Sequence, residues 1–405
     1  MRPGPWYRLT SLAATTGVAL VVTTGEWALA HDVSAHVTLA LLAGVVVMAR
    51  VAHPDRPRLV LSAGVAFALF SAAGVAALAS APVGLHLALG AVALAASAVA
   101  AASAFRPRAE TRNGPLPVRR FPLRDYVTLT KPRIMVLLLL TAAGGMFVGA
   151  EGVPAVGLFA ATLGGLALAC GGASALNHVF DRDIDAHMRR TDRRPVAAGR
   201  VSPERALEFG VALSALSFVV LASFVNVLAA LLALVGNLFY VVVYTRYLKR
   251  STPKNIVIGG AAGAVPPLVG WAAATGNLTL PALFLFLIVF YWTPPHFWAL
   301  ALLIRRDYEA ARVPMLPVVK GETETARSIV RYTLLLVVIS LLPVFWRTVG
   351  WLYLGAAVAL GAAFIALALA LRSETTPARA RRLFSFSLAY LALLFVAMAI
   401  DPLIL

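Results

Sequence analysis

Long apolar stretches, parted by short polar ones, set the pattern of this chain. They fall near 10–30, 35–51, 58–80, 84–104, 132–150, 155–178, 204–223, 227–245, 255–274, 280–303, 328–346, 350–371 and 384–400. Each has the roughly 17–25 residues with which an α-helix crosses about 30 Å of hydrocarbon. The pattern predicts an all-α polytopic membrane protein with thirteen spans. The clearest interruption runs from Phe105 to Tyr126, "FRPRAETRNGPLPVRRFPLRDY", rich in Pro and Arg. It predicts a four-helix transmembrane domain over 1–105, a cytoplasmic linker over 106–125 and a nine-helix bundle over 126–405.

Composition sharpens this picture. Hydrophobic residues make up 60% of the chain and charged ones 13%, and the mean hydropathy is +0.84. The net charge of +17 could signal a polyanionic partner. Position argues otherwise. With the N-terminus inside and the spans alternating, 34 of the 35 Lys and Arg fall on the cytoplasmic side and only Arg347 falls outside. That is an orientation signal, and no nucleic acid is implied. The lone cysteine, Cys170, excludes an intrachain disulfide and reads as a small core residue. The first run ends in "WALA" at Ala30, like a signal-peptidase site, but its length favours an uncleaved helix.

The chemistry gathers in three long inward segments. In the first, Asn177, Asp181 and Asp185 recur every fourth residue. On a helix this spacing lines one face and lets the three side chains converge, while Asp183 points elsewhere. Carboxylate and carboxamide oxygens suit Mg²⁺, which keeps substrate phosphate oxygens among its ligands. The other reading is a solvated helix end. The second segment, Arg305 to Glu322, supplies Asp307, with Glu309 and Glu322 weaker and Lys320 just beyond. The third, Tyr244 to Asn255, supplies Lys249, Arg250, Lys254 and Asn255. These bases, with "TKPR" at Thr130–Arg133, either contact phosphate or anchor the membrane face. Acids holding Mg²⁺, ringed by Arg and Lys beneath an apolar chamber, suit a diphosphate on a long hydrocarbon: an isoprenyl diphosphate.

The stretch "NHVFDRDIDAHMRRTDRRPVAAGRVSPE" resembles the first Asp-rich motif of the intramembrane, UbiA-type prenyltransferase superfamily. Met188, Arg190, Thr191, Arg194 and Pro195 are similar to its haem O synthase (protohaem IX farnesyltransferase) branch. So are "LTKPRI", "YLKRSTPKNIVIGGAAGAVPPLVGWAA" and "WTPPHFWALALLIRRDYEAARVPMLPVVKG". The resemblance covers about 121–400. Ala311 stands where relatives outside the branch often carry a second Asp. The resemblance implies nine helices round a cavity and Mg-dependent transfer of farnesyl from farnesyl diphosphate to the 2-vinyl group of haem B in the cell membrane. Asn177, Asp181, Asp185 and Asp307 would be the catalytic metal-holding set. Lys131, Arg190, Arg194, Lys249, Arg250, Lys254, Asn255 and Lys320 would face the substrate.

His296, in "PPHFW", is open between a satisfied core residue and a group touching the iron or a propionate of haem; His178 and His187 stay unassigned. The first four spans faintly resemble half of a haem A synthase. There His36 and His86 are open between axial haem ligands and interfacial residues, and haem A synthase itself is an expected partner beside the lipid. Other readings are a prenyltransferase acting on a quinone precursor or chlorin, and a membrane haem-handling or transport protein. A transporter would place broken helices at mid-membrane, whereas these acids cluster at one face.

Overall fold

The computed structural model describes residues 123–345 and 348–404. The four spans expected before residue 105, most of the linker, and His36 and His86 lie outside the described residues. The haem and haem A synthase expectations attached to them are therefore not addressed by the fold.

The described chain opens with a short helix, α1 (Leu123–Thr130), followed by nine helices long and apolar enough to cross a membrane: α2 (Pro132–Gly149), α3 (Val156–Phe180), α4 (Pro203–Phe224), α5 (Val227–Ser251), α6 (Asn255–Thr275), α7 (Leu280–Leu303), α8 (Gly321–Phe345), α9 (Trp351–Ser373) and α10 (Pro377–Leu403). Leu123–Asp125, expected at the end of the linker, instead form the first turn of α1. α8 and α10 begin seven residues before the apolar patterning does, because their first turns carry charged residues that still make helix.

Local chemistry explains the boundaries. Ser202, Asn226 and Thr376 each accept from a backbone N–H three residues on, and Pro203 and Pro377 occupy first-turn positions where a missing N–H costs nothing. Between α1 and α2, Lys131 takes the left-handed conformation (φ 50°, ψ 59°) just before Pro132. α5 is α-helical to Leu238, then winds as a π-helix over Phe239–Leu248. α6 is interrupted at Ala264, just ahead of Pro266 and Pro267.

The bundle closes on itself. α2 packs against α3, α6 and the last span, α10; α3 packs on α4, α7 on α8 and α10, and α9 on both α8 and α10. The α2–α6 crossing is the tightest. A Cβ at Gly270 would strike the Ala142 carbonyl, and one at Gly145 the Pro267 carbonyl, so only glycine lets the two backbones approach. Large apolar side chains such as Val136, Leu216, Val235, Val338, Leu369 and Leu393 face outward, as a lipid-facing surface requires. Since successive spans reverse, α1 and the connections 181–202, 252–254, 304–320 and 374–376 share one end of the bundle.

Candidate active site

α3 carries the first acidic motif to that end. It stops at Phe180, and Asp181 (φ −94°, ψ 2°) joins it to a separate turn, Arg182–Asp185. The single unbroken helix face expected for Asn177, Asp181 and Asp185 is corrected accordingly. The spacing still works, because the Asp181 N–H donates to the Asn177 carbonyl (2.9 Å) and the Asp185 N–H to the Asp181 carbonyl (2.7 Å). All three side chains are buried.

Lys131 and Lys249 from two other segments, and Arg194 from the same connection, converge on them. Lys131 Nζ donates to Asn177 Oδ1 at 2.7 Å. Asn177 Nδ2 donates to Asp181 Oδ2 (2.8 Å) and to Thr245 Oγ1 (3.1 Å). Lys249 Nζ sits 2.5 Å from Asp181 Oδ2. Arg194 Nη1 donates to both oxygens of Asp185, 2.8 Å each, and Thr191 Oγ1 to the Asp185 carbonyl at 3.1 Å. Asp181 Oδ1 is buried and accepts no hydrogen bond. Burial and the neighbouring Arg194 charge lower the Lys131 ammonium to about 7 against the pull of Asp181 and Asp185.

Asp183 lies outside this cluster, as expected. It is exposed and paired with Arg250 (2.6 and 2.7 Å), whose hydrogen bonds hold its carboxyl down near 2. Arg250 also donates to the Phe180 carbonyl at 2.6 Å. It therefore braces α5 against the end of α3, and its Nη2 also lies 3.9 Å from Asp181 Oδ1.

The second acidic segment approaches the first through Tyr308. Burial raises its hydroxyl pKa, and the charges acting on it include Arg190, Arg194, Asp181 and Asp307. Asp307 is half-buried, and its carboxylate takes no hydrogen bond from the described residues. Arg190 is exposed but within electrostatic reach of Tyr308. Glu309 and Glu322 are engaged by Arg305 (2.7 and 3.3 Å). Asn255 is fully buried with both amide atoms unpartnered. Lys254 and Lys320 are exposed, and the structure does not bring them into the cluster. His296 stands apart, bonded through Nδ1 to Ser387 Oγ at 2.7 Å.

Thr245, Tyr240 and Tyr244 escape the sequence reading, which leaves His178 unassigned. Thr245 anchors Asn177. Tyr240 and Tyr244 stack at 5.6 Å on the π-helix beside the cluster. His178 is buried with both ring nitrogens unpartnered. The i, i+4 tyrosines just before "YLKR" were a usable signal; nothing in the sequence marks the π-helix. Among the described residues no three His, Cys, Asp or Glu side chains gather as a metal group by themselves. Any metal here needs Asn177 or substrate oxygens as well.

A family model described as the UbiA prenyltransferase family matches residues 137–395. The chain belongs to the UbiA prenyltransferase family. Its match takes in α2 to most of α10, including both acidic segments of this UbiA-family site. A protoheme IX farnesyltransferase of Symbiobacterium thermophilum is 57% identical over 281 residues, 69% of this chain and 94% of the relative. One from Gloeobacter violaceus is 55% identical over 284 residues, 70% and 93%. The chain spans about half the length of some other relatives; that of Roseiflexus sp. is 52% identical over 69% of this chain and 52% of its own. Among solved structures, one described as a digeranylgeranylglyceryl phosphate synthase aligns with TM-score 0.59 at 20% identity, over 70% of this chain and 99% of its own. A UbiA homolog from Archaeoglobus fulgidus bound to DMAPP and Mg²⁺ aligns with TM-score 0.52 at 17% identity, over 68% and 99%. Both share the fold of this UbiA-family bundle.

Proposed function

We propose that this chain transfers the farnesyl group of farnesyl diphosphate to the 2-vinyl group of haem B, giving haem O. The observation that carries the reading is the buried cluster of Asp181 and Asp185, ringed by Lys131, Lys249 and Arg194, at one end of an apolar bundle. The names of the most similar relatives support the choice of substrates.

The donor set fits Mg²⁺. Asp181 Oδ1 is a buried oxygen that accepts no hydrogen bond, and the half-buried Asp307 carboxylate accepts none from the described residues either. Asn177, Asp181, Asp185 and Asp307 would hold the ion. When bound, Mg²⁺ neutralises charge on the diphosphate leaving group. Lys131, Lys249 and Arg194 already donate within the cluster, and modest side-chain rotation turns the same donors onto diphosphate oxygens. The farnesyl C1–O bond breaks with its electron pair leaving on the diphosphate. The vinyl π electrons form the new C–C bond. Water then adds to the cation left beside the porphyrin ring and loses a proton. The apolar bundle keeps bulk water from the allylic cation meanwhile. The membrane would be the plasma membrane, with the acidic segments cytoplasmic.

The test is incubation of purified protein with haem B, farnesyl diphosphate and Mg²⁺, followed by mass analysis of the pigment. The expected product is haem O, lost with EDTA and restored by Mg²⁺. Transfer to a quinone precursor or chlorin but not to haem B would overturn the acceptor.

A further inference from the structure

His296 is held by more contacts than any other described histidine. Its ring lies between Trp292 (centroids 4.3 Å, 17° between planes) and Phe384 (4.7 Å, 25°), with Phe297 edge-on at 5.1 Å. Trp292 is itself fixed by a hydrogen bond from Nε1 to the Ser387 carbonyl, 2.7 Å. On α7, Thr293 faces Gly260 of α6, and Trp292 faces Ser387 of α10. His296 follows those two by three and four residues, so it projects between the two directions, toward the space that α6, α7 and α10 share.

The hydrogen-bond network assigns the ring proton to Nδ1. Ser387 Oγ has one hydrogen, and it donates that to the Phe384 carbonyl at 2.7 Å. The 2.7 Å contact with His296 Nδ1 then has only one donor left, the imidazole N–H. Nε2 therefore carries a lone pair. It has no partner among the described residues, and it is not one of the occluded polar atoms.

We infer that His296 Nε2 is an axial ligand to the iron of the haem acceptor, a role that rests on the farnesyl-transfer reading above. A propionate in the same place is disfavoured: an ionised carboxylate only accepts hydrogen bonds, and this nitrogen has none to donate. A metal centre takes the lone pair directly, and an Nδ1–H anchored on an acceptor is the usual support of an iron- or zinc-bound imidazole. Ser387 is then a positioning residue. Ligation from a rigid, stacked ring would fix the porphyrin plane, and with it the vinyl group, relative to the farnesyl cation.

The full-length protein in lipid nanodiscs tests this by haem titration. Wild type should give an imidazole-ligated absorption and resonance Raman spectrum, and His296→Ala should lose it. Ser387→Ala should keep ligation but shift the iron–histidine vibration, since the ring loses its anchor. Wild type should bind haem B more tightly than metal-free protoporphyrin IX, and His296→Ala should bind both alike. The wild-type comparison and Ser387→Ala carry the test if His296→Ala fails to fold. An unaltered spectrum in His296→Ala, or equal wild-type affinity for haem and the metal-free ring, overturns the ligation. Turnover is scored separately: His296-dependent ligation without farnesyl transfer supports the inference and sinks the transferase reading, and transfer without ligation does the reverse.

Discussion

Lys249 Nζ lies 2.5 Å from Asp181 Oδ2, across 68 positions of sequence, while Asp181 Oδ1 accepts no hydrogen bond and faces only the Arg250 guanidinium at 3.9 Å. One oxygen of this buried carboxylate accepts from Asn177 and Lys249, and the other keeps its hydrogen-bonding capacity unused. Asp181→Ala should therefore abolish transfer, with a loss of about a hundredfold or more, the scale of removing one leaving-group stabiliser. Lys249→Met should behave differently. It strands a buried carboxylate, so it should destabilise the fold by about 3–5 kcal/mol. Asp181→Asn combined with Lys249→Met should recover most of the thermal stability and none of the activity. Thermal unfolding in detergent beside a farnesyl-transfer assay separates the two; full stability in Lys249→Met alone would refute the pairing.

Lys131 gives a pH signature. Its ammonium is lowered to about 7 by burial and by Arg194, so the free site loses this charge as pH rises through 7. A bound diphosphate favours the charged form, and binding therefore takes up a proton. Affinity for farnesyl diphosphate should be greatest below pH 7 and should weaken by up to about tenfold per pH unit above it. Lys131→Arg stays charged and should flatten the profile. Parallel profiles for the two proteins would exclude Lys131 from the effect.

Sequence and structure agree unevenly, for physical reasons. The nine spans were legible because hydrocarbon demands long apolar runs, and the grouping of Asn177, Asp181 and Asp185 because their four-residue spacing is regular; Lys131, Arg194 and Lys249 stood out only beside the family resemblance. The break at Asp181 was not legible, since four-residue spacing looks the same in one helix and in two linked turns. The pairing of Arg250 with Asp183 was not legible either, since nothing in a linear sequence shows that residues 67 positions apart meet. Thr245 and Ser387 were invisible for the same reason. Each is an ordinary hydroxyl until the fold sets it against Asn177 or His296.

At the opposite end of the bundle, Asp401 accepts from the backbone N–H of Gly350 and from that of Tyr353 (3.1 Å), so α10 caps α9. The carboxylate is buried and far along the chain from both acidic segments. Asp401→Ala should cost about 0.5–2 kcal/mol, the scale of a lost cap. It should lower the unfolding temperature while leaving turnover of the folded enzyme near wild type. A collapse of turnover at a temperature where the variant remains folded would show that the cap also shapes the site.

The last prediction concerns the brace on the catalytic loop. Arg200 Nε donates to both oxygens of Asp125 (3.1 Å each), and Arg200 Nη2 to the Arg193 carbonyl (3.0 Å). Beneath them Leu129 of α1 is sealed among Ala175, Val179, Val196, Val201 and Ala206, and Tyr126 meets Phe209 edge-on at 5.1 Å. α1 thus clamps the 181–202 connection, which carries both Asp185 and its partner Arg194. Arg200 is partly exposed, so the ion pair itself should add only about 1 kcal/mol or less to global stability. Its effect should be local. Asp125→Ala should speed amide exchange within 181–202, raise the KM for farnesyl diphosphate and leave the melting temperature little changed. Truncation sharpens the point. A chain begun at residue 121 keeps the whole clamp and should retain transferase activity, whereas one begun at Lys131 loses α1 and should not. Equal activity from the two truncated chains would show that the loop holds its own shape without the clamp.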